Sequence, residues 1–196
     1  GALGAFALIC VLLVLPSSAS AGWSAPITVS GAGSSTSQTG IAGNSNGDAW
    51  VVWKRNVAGF DVIQGTKVAI DGSQGPIVTI SNPAANATEP VVTMTESGSA
   101  MVGWINTSTV EDSIETASIA ADGTVGAPVS RSVAGPVGQP AQDLSISMGD
   151  DGTSGASWIK YDGTNWIVQG VRIAADGTSG TIHDLSESTI SAGAPS

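Results

Sequence analysis

The sequence predicts an all-β fold assembled from a repeated four-stranded unit, and three observations carry that expectation. First, three stretches align on one another without a gap over 34 positions: Thr39 to Gly72, Pro90 to Gly123 and Leu144 to Gly177, at offsets of 51 and 54 residues. Second, five positions are identical in all copies: Gly47, Gly98 and Gly152; Trp53, Trp104 and Trp158; Ala69, Ala120 and Ala174; Asp71, Asp122 and Asp176; Gly72, Gly123 and Gly177. Third, Gly, Ser, Thr, Val and Ala dominate the 196 residues, only 11% are charged, and no long amphipathic helical pattern occurs.

Each copy reads as four strands in order. The first ends at a polar turn, Asn46-Gly47, Ser97-Gly98 or Asp151-Gly152, whose glycine supplies the positive φ a tight hairpin requires. The second follows at once, with Ala49, Val51 and Trp53 on one face and Trp50 and Val52 on the other. Apolar residues on both faces predict a strand covered on both sides. A third strand spans Val62 to Ala69 and its counterparts and runs into the turns Asp71-Gly72, Asp122-Gly123 and Asp176-Gly177. The fourth is short: Pro76 to Ser81, Pro128 to Ser130 and Ile182 to Ser186.

Units of about 50 residues with four strands, glycine turns and a fixed Trp are the building blocks of radial β-propellers. The segment Tyr161-Asp162-Gly163-Thr164-Asn165-Trp166 and the Ala-Asp-Gly-Thr turn at 175–178 resemble those of an uncharacterised group of secreted bacterial β-propeller repeat proteins. That resemblance covers nearly all of the chain after residue 38 and implies an architecture rather than an activity. Gly precedes the fixed Trp by six residues, which departs from the Asp-box of sialidase-like propellers, so no sialidase chemistry is carried across.

Propellers typically need 4 to 8 blades. The expected fold is therefore an incomplete ring: about three blades plus an N-terminal closing strand, Trp23 to Ser30, which reads like Gly75 to Ser81. The expected organisation is a signal peptide over 1–21, truncated at its N-terminus; a closing strand and linker over 22–38; repeats over 39–89, 90–143 and 144–193; and the start of a fourth repeat over 194–196.

Ala2 to Leu15 is uncharged and almost wholly apolar, and Ala19-Ser20-Ala21 supplies small residues for cleavage, which predicts secretion. The stretch is shorter than the roughly 20 residues of a membrane span, so no stable span is expected after cleavage. Cys10 follows Ile9 rather than a small residue, which makes a lipid anchor the minor alternative. Removal of the leader would leave no cysteine, so stability must come from packing and sheet hydrogen bonds.

A formal charge of -10 with six scattered basic residues argues against nucleic acid. Asp71, Asp122 and Asp176 each offer one carboxylate to their turn, too few for a calcium loop, and His183 is the only histidine. No metal, cofactor or catalytic residue is assigned, and no G-x-S-x-G elbow occurs. The doublets Glu111-Asp112 and Asp150-Asp151 place adjacent carboxylates on opposite faces of a strand and read as solvated loop charge. Gln64, Glu115 and Gln169, a recurring long polar position, are expected to hydrogen-bond between blades. Trp53, Trp104 and Trp158 are expected as core wedges.

The connection between the second and third strands varies most among copies, and variation on one rim over a constant scaffold is how binding faces are built. Its aromatics, Phe60, Tyr161 and Trp166, are the ligand-binding candidates. The expectation is a secreted, non-enzymatic binding or scaffold propeller whose partner is a protein or a carbohydrate. The alternative is an extracellular carbohydrate-active enzyme or lectin in which acidic residues of different blades meet at the central channel.

Overall fold

A computed structural model describes residues 26–33, 35–107, 112–132 and 141–187. The predicted leader, Cys10, Trp23, Glu111 and the start of the fourth repeat lie outside them. The described chain forms three four-stranded antiparallel sheets that do not close on themselves. The first comprises β1 (Thr36–Gly43), β2 (Ala49–Val57), β3 (Phe60–Val68) and β4 (Val78–Thr79). The second comprises β5 (Ala87–Met94), β6 (Ala100–Asn106), β7 (Ser113–Ile119) and β8 (Val129–Ser130). The third comprises β9 (Gln142–Met148), β10 (Ser154–Tyr161), β11 (Trp166–Ile173) and β12 (His183–Asp184). In each, neighbours in sequence are neighbours in space, as a meander of one blade requires.

The turns follow from residue chemistry. Gly47 sits at φ +85°, and an added Cβ would come within 2.7 Å of Ile70, so only glycine fits there. Asp71, Asp122 and Asp176 each accept the N–H two residues on, from Ser73, Thr124 and Thr178 at 2.8 to 2.9 Å, the Asx turn that closes β3 toward β4 and its equivalents.

The sheets stack face to face. Trp50, Val52, Ile63 and Ile80 of the first meet Ala100, Val102, Trp104 and Ile119 of the second. Met101, Ile105 and Ile114 on the opposite face of the second sheet meet Leu144, Ala156, Trp158 and Ile173 of the third. The alternation along β6 thus serves two interfaces, and Trp104 and Trp158 each face the preceding sheet. First strands touch one another, β1 against β5 and β5 against β9, so the stack fans outward from its inner edge. Arg131, almost wholly buried, ties the second sheet to the third by donating to Thr116 Oγ1 at 2.8 Å, to the Gly177 carbonyl at 2.9 Å and to Ser179 Oγ.

Within the expected closing strand, Pro26 to Val29 form no ladder, and Thr36 to Gln38, assigned to the linker from sequence, belong to β1. The segment nonetheless lies on the outer face of the first sheet. Gln74 Nε2 donates to the Thr28 carbonyl at 3.0 Å, Arg55 Nη2 donates to the Ala32 carbonyl at 2.7 Å, and Gly31 lies beside Ile77.

Candidate functional site

The inner strand of every sheet contains the same irregularity. Gln38, Glu89 and Asp143 have φ of 50°, 53° and 52°, and they occupy one repeat position. Each lies at a register shift, between Ser37 and Thr39, between Thr88 and Val91, and in β9 opposite the step from Ser157 to Ile159. A non-glycine residue in the left-handed region costs about 1 to 3 kcal/mol, and bulges re-aim side chains at sheet rims. Three copies therefore bear the same strain to present three different polar side chains along the inner edge.

Neighbouring groups engage these side chains. Gln38 Oε1 accepts the Thr88 hydroxyl at 2.7 Å and the Glu89 N–H at 3.1 Å, joining the bulges of the first two sheets. Partial desolvation raises the carboxyl of Glu89, an exposed residue, above its ordinary range, the Asp143 carboxylate raises it further, and Lys54 opposes both. Lys54 also pairs with Asp61 at 3.7 Å, and Asp61 is held by Asn56 Nδ2 at 3.0 Å and through its N–H by Asn86 Oδ1 at 2.9 Å. Asp112, on the corresponding loop of the second sheet, is raised by burial. The result is a rim richer in acidic than in basic groups, with Lys54, Arg55 and Lys160 on the same hairpins.

The aromatic candidates stand on hairpins at this same end, because Thr36 pairs with Arg55 in the first sheet and Gln142 with Ile159 in the third. Phe60 is exposed where β3 begins. Tyr161 and Trp166 are cross-strand partners whose ring centroids lie 5.5 Å apart at 57°, both half-buried. They form one tilted aromatic corner rather than two separate platforms.

The opposite rim carries different chemistry. There the Ser45 N–H donates to Glu96 Oε2 at 2.9 Å and the Glu96 N–H donates to Asp150 Oδ1 at 3.1 Å, so one repeat position links three successive turns. Asp150 and Asp151 accordingly do separate work, since Asp151 accepts the Thr153 N–H at 2.9 Å within its own turn. His183 is exposed on β12. Among the described residues, no group of three or more His, Cys, Asp or Glu side chains is arranged to hold a metal ion.

One expectation is corrected. Gln64, Glu115 and Gln169 bond within their own sheets: Gln64 to Thr79 Oγ1 at 3.2 Å, Gln169 to Asp184 Oδ1 at 2.8 Å, and Glu115 to Trp104 Nε1–H at 3.1 Å and Asn106 Nδ2 at 2.8 Å. A long side chain on β3 or its equivalents faces the adjacent strands more closely than the adjacent sheet, because strands lie about 4.8 Å apart and sheets about 10 Å.

No family model and no curated protein sequence matches the chain. Among solved structures, it is similar to the Hadza microbial sialidase Hz136, with 12% identity, a TM-score of 0.53, and coverage of 76% of this chain and 37% of that one. It is also similar to an endo-arabinase from Bacteroides thetaiotaomicron, with 15% identity, a TM-score of 0.49, and coverage of 75% and 61%. The chain thus matches less than two thirds of the length of either. The likeness to the sialidase, with the three unclosed four-stranded meanders, shows the fold alone, that of β-propeller blades.

Proposed function

We propose that the chain is part of an exported β-propeller that binds carbohydrate on the rim of the inner-strand bulges. The observation that supports this most is the row Gln38, Glu89 and Asp143, one strained repeat position used three times to place an amide and two carboxylates on the rim. Such groups hydrogen-bond the adjacent hydroxyls of a sugar, while Phe60 and the Tyr161–Trp166 corner offer apolar ring faces. The rim's negative charge selects neutral glycans over sialylated or uronic ones. Titration calorimetry against neutral and acidic oligosaccharides tests this. Binding of a neutral glycan, lost in the Glu89→Ala, Asp143→Ala double variant, is expected; the absence of binding to any glycan, or binding indifferent to that variant, overturns it.

A second reading rests on Glu89 itself. A carboxyl raised by burial and by a neighbouring carboxylate is suited to act as general acid. Glu89 would protonate the glycosidic oxygen while Asp143 acts as nucleophile or activates water, according to their separation. Release of reducing ends, abolished in Glu89→Gln with binding retained, distinguishes hydrolysis from binding alone.

A further inference from the structure

At the turn rim, on the opposite side of the stack from the bulge row, equivalent clefts between neighbouring sheets are filled differently. In the cleft between the first and second sheets, Lys67 on β3 lies opposite Trp50 on β2. Its side chain reaches the turn of the second sheet, where a Cβ added to Gly98 would come within 3.5 Å of Nζ. The ammonium pairs with Asp48 Oδ2 at 3.0 Å. A four-carbon stem and one positive charge are thus built into that interface.

One sheet further on, both fillers are lost. At the repeat offset of 51, Lys67 becomes Ser118 and Trp50 becomes Met101, which again lie opposite one another. An open cleft of about 400 Å³ remains between the second and third sheets. Met101, Ile119 and Met148 supply apolar wall, and Ser97, Ser99 and Ser118 supply hydroxyls.

The counter-charge survives the loss of the cation but changes walls. Asp48 becomes Ser99 on the second sheet, while Ser97, beside Gly98, becomes Asp151, beside Gly152, on the third. Asp150 and Asp176 join Asp151 in the lining, and none of the described lining residues is basic. Asp150 receives the Glu96 N–H on Oδ1 at 3.1 Å, and Asp151 receives the Thr153 N–H and hydroxyl on Oδ1 at 2.9 and 2.7 Å. Both retain Oδ2 as an acceptor. Arg172, the third sheet's counterpart of Lys67, lines the outer depression beside His183 and Leu185 instead. The bonds from Thr153, and then the charge of Arg172, hold the Asp151 carboxyl below its ordinary range.

An alkylammonium ion would restore what the first cleft contains: methylenes against the apolar wall, N–H donors to serine hydroxyls, and a positive charge facing carboxylates. An inorganic cation would leave the wall of Met101, Ile119 and Met148 without a partner, and an anion would meet three like charges. We propose that the cleft between the second and third sheets binds a primary alkylammonium ion, in the place that Lys67 fills from within the chain one sheet earlier. A free aliphatic amine and the side chain of a lysine residue both carry this chemistry, and the probes below separate them. The inference is independent of the glycan reading, whose residues lie on the other rim.

Titration of the full chain with n-butylammonium, followed by NMR at the amides of Ser118, Gly152 and Asp176, tests it. Saturable shifts at these residues are expected. They are absent with n-butanol, which has the stem without the charge, and weaker with tetramethylammonium, which has the charge without N–H donors. Nα-acetyl-lysine methylamide is the second probe: tighter binding than n-butylammonium makes a lysine residue the source, and weaker binding makes it a free amine. Ser118→Lys supplies a tethered ammonium and is expected to weaken n-butylammonium binding about tenfold or more. Asp151→Asn, which keeps an acceptor for Thr153, weakens it about threefold or more, and Ser99→Asp, which rebuilds the carboxylate of the first cleft, strengthens it. The two substitutions at exposed or half-buried turn positions keep the test decisive if Ser118→Lys does not fold. No saturable shift with either ammonium probe, shifts that n-butanol reproduces, or an affinity unchanged in both Asp151→Asn and Ser99→Asp overturns the proposal.

Discussion

Identical positions in the three repeats do not have identical partners, and Trp104 illustrates the difference. Its indole N–H reaches Glu115, whereas those of Trp53 and Trp158 find no acceptor among the described residues. Gln64 and Gln169, at the position of Glu115, turn their amide N–H toward the fourth strand instead. A carboxylate has no donor to offer that strand and takes two from its own second strand, Trp104 and Asn106. Glu115→Ala leaves both donors without this acceptor and is expected to lower stability by about 1 to 3 kcal/mol. Gln169→Ala removes only a solvent-exposed pair and is expected to cost less. Urea denaturation of the two variants side by side measures the difference, and equal losses would contradict this account.

At the level of strands and turns, the turns between first and second strands couple neighbouring sheets through Glu96 and Asp150. Glu96→Ala is expected to speed hydrogen exchange at the Ser45 amide and leave the Glu96 amide slow, and Asp150→Ala to do the reverse. Faster exchange across all three turns in either variant would mean that these contacts merely accompany folding. This coupling also shows where sequence reading stops. The strands were legible because β2, β6 and β10 keep their alternating faces and the Asp-Gly turns keep their residues. The bulge row of Gln38, Glu89 and Asp143 and the clasp row of Ser45, Glu96 and Asp150 are not visible as rows in the sequence, because neither keeps a residue type. Left-handed backbone ordinarily announces itself through glycine, and here it falls on amide and acid residues. The signal available is that both rows keep the repeat offsets of 51 and 54 with polar residues throughout. Tyr161 and Trp166 were singled out as separate aromatics, and their pairing depends on a cross-strand register that spacing alone does not fix.

For the whole molecule, the distribution of shifted carboxyls predicts how stability follows pH. Hydrogen bonds from Ser73 lower Asp71, and those from Thr124 and Thr178 lower Asp122 and Asp176. Thr153 does the same for Asp151, Asn165 and Thr164 for Asp162, and Ser45 for Glu96. A carboxyl whose folded value is depressed contributes stability that is complete above its unfolded value, near 4, and is lost as pH falls through the folded one. Glu89 and Asp112 are raised by burial, so their protonation favours the folded state and partly offsets the loss. Five of the six lowered groups close turns in the three sheets and Glu96 joins two turns, so acid is expected to lower stability. Thermal midpoints are expected to hold level from neutrality to about pH 5 and to fall below about pH 4. Asn at 122 and 176 preserves an acceptor for the turn but does not titrate. The double variant Asp122→Asn, Asp176→Asn should therefore show a shallower fall, and a pH profile as steep as that of the unaltered protein would place the acid response elsewhere in the chain.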